Sequence, residues 1–229
     1  MISSPPVVRA RWRDVDLIVE LVTATVAPTV VAAWLVPDER RRRDVLADVA
    51  RLWVEHALLF GDAFLLADGT AATVWFHHYR PIPAPVRYEQ RLADACEGQV
   101  DRFLLLDRAL ATHRPAQPHN HLAFLAVPAG PRRADRAEAV LAGSQRWMDT
   151  LGLPTYAETW TGAHRDLHLR HGYQAQGDFP LGNGLLVHST WRLSPFPPGR
   201  RNAGAGHWSS TRPARRARND RLTGPPVSR

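Results

Sequence analysis

The sequence predicts a mixed α/β domain, residues 1–196, followed by a disordered tail, residues 197–229. Helical patterns with apolar residues every three to four positions alternate with short apolar runs that indicate strands. Asp68-Gly69 between two such runs is a strong β-hairpin signal. HLAFLAV, residues 121–127, is typical of a central strand covered on both faces. With 229 residues, 45% of them hydrophobic, the chain can bury one substantial core.

The first third of the chain is predicted to form a strand, two helices and the hairpin. The strand is VVRARW, and Asp14 is placed to cap a helix through VDLIVELVTATVA. The second helix begins near Asp38, and one face of it carries apolar residues and His56. The hairpin is AFLLADGTAATVWF, residues 63–76.

The rest of the domain is predicted to alternate helices and strands. The proline-rich loop RPIPAPVRY precedes a helical stretch, residues 90–114, that is broken near Gly98. After the strand HLAFLAV comes a helix that Gly152 ends, then the strand TYAETW and a short helix within AHRDLHLRHG. Two strands joined around residues 182–184 complete the order β-α-α-β-β-α-β-α-β-α-β-β.

The net charge of +7 belongs to the tail. From Gly199 onward there are eight arginines and one acid, Asp220, so the rest of the chain has 21 basic and 21 acidic residues. Few apolar residues in this segment predict disorder. Because the body is neutral overall, nucleic acid is not an expected partner, and binding through the arginine tail is the alternative.

Other bulk features predict a cytoplasmic protein with no membrane partner. No stretch approaches the roughly 20 apolar residues of a membrane helix, and the first thirty residues lack a secretory signal pattern. A single cysteine, Cys96, excludes an internal disulfide and fits a reducing compartment.

The order of the elements, with the residues that fill them, resembles the GCN5-related N-acetyltransferase (GNAT) superfamily over residues 7–193, most closely puromycin N-acetyltransferase and its relatives. The hairpin matches the family's second and third strands. HLAFLAVPAGPRRADRAEAVL matches its signature strand, pyrophosphate loop and helix, and YAETWTGAHRDLHLRHGY its tyrosine-bearing strand and helix. The resemblance implies a mostly antiparallel sheet of about seven strands with helices on both faces. It also implies acetyl transfer from acetyl-CoA to the amine of a small molecule by a monomer or homodimer.

The resemblance places an acetyl-CoA site where the signature strand meets the next helix. The residues it implies for cofactor binding are Leu125, Ala126, Val127, Arg132, Arg133, Ala134, Asp135, Arg136, Ala137 and His164. The family's loop pattern, Q/R-x-x-G-x-G/A, falls on residues 132–137, and Asp135 stands where the family has a glycine. The three arginines there could outweigh its charge at a phosphate, or Asp135 could pair with one of them in a solvated helix cap.

Catalytic candidates follow from the same resemblance. Four residues before Gly172, the family's tyrosine acid for the departing thiolate is replaced by His168, and His164 takes an asparagine position. For the base that takes the amine proton, the candidates are Glu158, His121 and His119. Each of these histidines could equally be structural.

Two further alternatives remain open from the sequence. His164, His168 and His171 share a helix face, but Arg165 stands where a zinc peptidase needs glutamate, so no metal is expected. The altered loop and tyrosine positions also allow a catalytically impaired CoA-binding or interaction protein. Trp34, Trp53 and Tyr79 are possible walls of the acceptor cleft.

Overall fold

The computed structural model describes residues 5–96, 98–181 and 184–196. The strands are β1 Val7–Arg9, β2 Gly61–Leu66, β3 Ala72–His78, β4 His119–Ala126, β5 Thr155–Thr159, β6 Gln174–Pro180 and β7 Leu186–Arg192. The helices are α1 Val15–Val26, α2 Val30–Leu35, α3 Glu39–Phe60, α4 Tyr88–Cys96, α5 Val100–His113, α6 Arg133–Asp149 and α7 Gly162–Arg170. A single 3₁₀ turn, Trp12–Asp14, precedes α1.

The seven strands form one sheet in the order β1-β2-β3-β4-β5-β7-β6. Every neighbouring pair is antiparallel except β4 and β5, which are parallel. This confirms the predicted fold class, a mixed and mostly antiparallel sheet of seven strands.

Helices cover both faces of the sheet, as expected. Alternation along β2 separates the two sides, because Ala63 and Leu65 belong to one core cluster and Phe64 and Leu66 to the other. The first cluster packs α1 and α3 against the sheet, and the second packs α6 and α7 against the opposite face. Two apolar layers therefore enclose the sheet, and two further clusters lie among α2–α5 and at β6 and β7.

Most element boundaries agree with the sequence patterns, with three differences. The first strand ends at Arg9, earlier than VVRARW suggested. Helix α2 was not predicted, because six residues are too few to show a helical period. Thr29 caps its N-terminus, and the Thr29 side chain accepts a hydrogen bond from the Ala32 amide. Strand β4 begins at His119, two residues before the apolar run.

The helical stretch after the proline-rich loop is divided into α4 and α5, which confirms the break near Gly98. The β6–β7 pair is also confirmed. Residues 182 and 183 of the turn predicted around 182–184, and the whole of the predicted disordered tail, lie outside the described residues. No helix in the described part of the chain is long and apolar enough to cross a membrane.

Candidate active site

The parallel strands β4 and β5 pair over only three residues. Asn120, His121 and Leu122 face Thr155, Tyr156 and Ala157, and pairing stops there although β4 continues to Ala126. On its other side, β4 has an irregularity at Ala123, because Val74 faces Phe124 and Trp75 faces Leu122. Beyond Leu122 the backbone edges of β4 and β5 are therefore not bonded to one another.

A narrow crevice of about 50 Å³ lies at this opening. Its walls come from β4, from the segment at and after the end of β5, from α1 and its following turn, from the start of α6, and from α7. Among the predicted site residues, those that line it are Leu125, Arg133, Glu158, His164 and His168. The fold thus brings together residues from both parts of the predicted site, the cofactor side and the catalytic side.

A larger cavity of about 350 Å³ adjoins the crevice. Both spaces share the side chains of Val26, Ala123, Phe124, Glu158 and Trp160. The carboxylate-bearing residue of this shared wall is Glu158. His121 and Trp53 line the larger cavity, whereas Trp34 and Tyr79, the other suggested walls, do not.

Glu158 and His121 form a buried pair between the strands. Glu158 Oε2 lies 2.5 Å from His121 Nε2, and their side chains are 5% and 6% exposed. The other polar atom of each, Glu158 Oε1 and His121 Nδ1, is buried with no hydrogen-bond partner in the described chain. A buried carboxylate oxygen without a hydrogen-bond donor lowers the stability of the folded protein. Glu158 Oε1 is therefore available to accept a hydrogen bond from a ligand.

The N-terminus of α6 is braced by two of the three predicted loop arginines. Arg133 Nε donates to the carbonyl of Val127 at 3.0 Å. Arg136 donates to the carbonyls of Pro128 at 3.0 Å and Thr70 at 3.2 Å. Arg136 therefore holds the loop in place instead of extending toward a ligand, and Ala137 packs in the core.

Asp135 lies in the first turn of α6, in helical conformation. Its carboxylate accepts from Arg132 Nε at 3.1 Å, and both side chains are more than half exposed. The unusual backbone angle of this junction belongs to Arg132, with a φ of 55°. A glycine is therefore not needed at position 135 for backbone reasons, and the pairing in a solvated cap is the arrangement present.

His168 is buried on α7, and His164 on the same helix is half-buried. His168 is 1% exposed, its Nδ1 lies 3.3 Å from Thr190 Oγ1, and its Nε2 is buried without a partner in the described chain. Burial lowers the pKa of His168 to about 3 and that of His164 to about 4. Both rings are neutral near pH 7, so the imidazolium form considered for a general acid is not the resting form of His168.

Other polar residues of the larger cavity were not singled out from the sequence as site residues: His78, Asp107, Tyr88 and Arg114. They lie on β3, on α4, and on α5 with the residue that follows it, and no local motif connects them. Among the described residues no group of three histidine, cysteine or acidic side chains could hold a metal ion.

No protein family model and no curated protein sequence matches the chain. Solved structures do. One of them is described as histone acetyltransferase HPA2 and related acetyltransferase from Corynebacterium glutamicum. It is 21% identical to this chain and superposes with a TM-score of 0.65, and the match covers 86% of this chain and 99% of that one. A mosquito arylalkylamine N-acetyltransferase-like protein is 13% identical, with a TM-score of 0.54 and coverages of 82% and 98%. An agmatine N-acetyltransferase is 18% identical, with a TM-score of 0.52 and coverages of 81% and 97%. At these identities the likeness shows that the chain has the GNAT fold.

Proposed function

We propose that the chain is an acetyl-CoA-dependent N-acetyltransferase that acts on the amine of a small molecule. One observation carries this proposal: Glu158 lines both the crevice at the β4–β5 opening and the larger cavity next to it. A carboxylate at the junction of two spaces can meet an amine held in one and an acyl group held in the other. Likeness to puromycin N-acetyltransferase, a monomeric or homodimeric state and a cytoplasmic location stay predictions from the sequence.

The crevice has features that fit acetyl-CoA. The unpaired edge of β4 along Ala123–Leu125 offers backbone groups to a pantetheine arm. The first amides of α6 have no intrahelical acceptor, and with the guanidinium of Arg132 they favour a diphosphate. The carboxylate of Asp135 is drawn to Arg132, which offsets its repulsion of phosphate. Leu125, Ala126, Val127, Arg133 and Ala134 complete this proposed site, with His164 on α7.

On the acceptor side, Glu158 is the proposed general base and His121 its partner. An ammonium in the larger cavity can donate to Glu158 Oε1, which otherwise has no partner in the described chain. After its proton passes to the Glu158–His121 pair, the amine is a nucleophile. Acetyl-CoA would supply the acetyl group as a thioester: the new N–C bond replaces its C–S bond, and CoA leaves as the thiol, which carries the proton that the attacking nitrogen loses. His168, neutral at pH 7, offers Nε2 as a hydrogen-bonding group in the crevice.

The second candidate is a GNAT-fold CoA-binding protein without efficient turnover. Two observations favour it: the acid Asp135 at the start of α6 and the low pKa of His168, which leaves no imidazolium to protonate a departing thiolate. This candidate predicts binding of acetyl-CoA with no release of free CoA thiol in the presence of amines.

Thiol release from acetyl-CoA with a panel of primary amines separates the two candidates. The enzyme proposal predicts amine-dependent release by the unmodified chain. Glu158→Gln is expected to lower kcat by about 100-fold, the lower range for loss of a general base, with acetyl-CoA affinity unchanged. Glu138→Gln, a half-exposed carboxylate on α6, is the matched control and should keep full activity. Equal rates for Glu158→Gln and the unmodified protein would remove Glu158 from the mechanism.

A further inference from the structure

The larger cavity identifies the class of acceptor, an inference that rests on the proposed function. Its volume of about 350 Å³ falls in the range of pockets for whole small molecules, not for a methylamine-sized substrate. Its walls are mainly apolar and include the rings of Trp53, Phe76, Tyr88, Phe103 and Trp160. Such a lining favours an acceptor with a bulky apolar body.

Arg114 is a cation on this wall, and it forms no ion pair with another described residue. Its Nε is buried without a hydrogen bond, and no carboxylate of the described chain lies within ion-pair distance of its guanidinium. A permanently charged group that lines a cavity and lacks a counterion is costly unless a ligand supplies one.

Among the described residues, the groups that interact electrostatically with Arg114 include His78, His119 and Asp107, and none of these three forms an ion pair with it. Burial lowers the pKa of His78 to about 3 and that of His119 to about 4, and the charge of Arg114 contributes to both shifts. Asp107 lines the same cavity, but its carboxylate accepts from the Tyr88 hydroxyl at 2.5 Å. Burial also raises the pKa of Asp107, against the opposing effect of Arg114.

A short series of contacts connects the chain at Arg114 to the proposed base. It directly follows α5, whose last residue, His113, accepts a hydrogen bond from the Tyr156 hydroxyl at 3.4 Å. The ring of Tyr156 in turn lies 5.6 Å from the ring of His121, the partner of Glu158. The side chain of Tyr156 thus spans from the Glu158–His121 pair to the end of α5. This arrangement suits a ligand whose amine and anionic group are near one another.

We propose that the acceptor is an amino acid with a bulky apolar side chain, whose carboxylate binds Arg114 while its amine meets Glu158. Arginine binds carboxylates through two parallel N–H donors, so this contact fixes orientation as well as charge. The apolar side chain occupies the aromatic part of the cavity.

Three ligands with one apolar body test this proposal: phenylalanine, phenylalaninamide and 2-phenylethylamine. Their dissociation constants are measured by calorimetry with the full-length protein and without acetyl-CoA, at a pH where all three amines are protonated. Phenylalanine is expected to bind about tenfold more tightly than the other two. In Arg114→Gln the three ligands should bind about equally tightly, and Arg114→Lys should restore part of the preference for phenylalanine. Arg108→Gln, an exposed arginine on α5 outside the cavity, removes the same charge and should keep the preference.

Equal affinities for the three ligands in the unmodified protein would overturn the proposal, as would no binding of phenylalanine or a preference that survives in Arg114→Gln. Because acetyl-CoA is absent from this experiment, its outcome is separate from that of the turnover assay. A preference for the carboxylate without any thiol release would leave the subsite standing and the proposed function wrong.

Discussion

At the scale of single residues, the site consists of buried polar atoms whose hydrogen bonds are incomplete. Glu158 Oε1, His121 Nδ1 and His168 Nε2 are each buried without a partner in the described chain. Such atoms cost free energy in the folded protein, and they are expected where a ligand completes the bonding. The sequence identified all three residues, but only the fold shows which atom of each is open.

Acid should destabilise the protein partly through His168. In the unfolded chain this histidine takes up a proton near its ordinary pKa of about 6.5. In the folded chain burial lowers the pKa to about 3, so folding excludes that proton. The stability contributed by the neutral ring is therefore present above pH 6.5 and lost as pH falls toward 3, by about 1.4 kcal/mol per pH unit.

Urea unfolding at pH 7, 6 and 5 checks this expectation with His168→Gln, which cannot take up the proton. The free energy of unfolding of the variant should fall less steeply over this range than that of the unmodified protein, by up to about 1.4 kcal/mol per pH unit. Parallel lines for the two proteins would mean that His168 is protonated in the folded state.

At the scale of elements, the junction between α3 and β2 depends on close approach. Gly61 follows α3 directly and begins β2, where it faces Phe76 on β3. A Cβ at this position would lie 1.9 Å from the carbonyl oxygen of Trp75, which is backbone and cannot turn aside. The helix can therefore pass into the sheet without a loop because this residue has no side chain.

Gly61→Ala is expected to lower the free energy of unfolding by about 3 kcal/mol, the upper end of the usual cost of overpacking. Gly162→Ala is the matched control, because a Cβ at the start of α7 meets nothing within 4 Å. Its effect should stay within about 0.5 kcal/mol, as for ordinary surface substitutions. Both are measured by chemical unfolding, and equal stabilities would show that β2 and β3 are not packed as described.

At the scale of the whole molecule, the sequence predicted the elements better than their meeting points. Strands and long helices were predictable because apolar periodicity and the Asp68-Gly69 turn are local signals. The contact between Glu158 and His121 was not predictable, because the two residues are 37 positions apart and meet only through the parallel pairing of β4 and β5. Arg114 was missed for the same reason, since its role depends on a cavity formed by several elements.

The predicted loop that contains Asp135 shows a second limit to what the sequence can predict about the site. The sequence revealed that Asp135 replaces a glycine but left two outcomes open, repulsion of phosphate or pairing with arginine. The choice depends on side-chain direction, and the structure shows the carboxylate of Asp135 exposed and bonded to Arg132. The altered residue is thus compatible with an anion at the start of α6.

We propose that acetyl-CoA binds at the β4–α6 junction of the unmodified protein. Calorimetric titration of acetyl-CoA into the full-length chain, beside Asp135→Gly, tests it most directly. We expect a dissociation constant on the order of 1 μM for the unmodified protein. The value for Asp135→Gly should lie within about tenfold, because Asp135 is already paired with Arg132. Binding by Asp135→Gly alone, or by neither protein, would contradict the account.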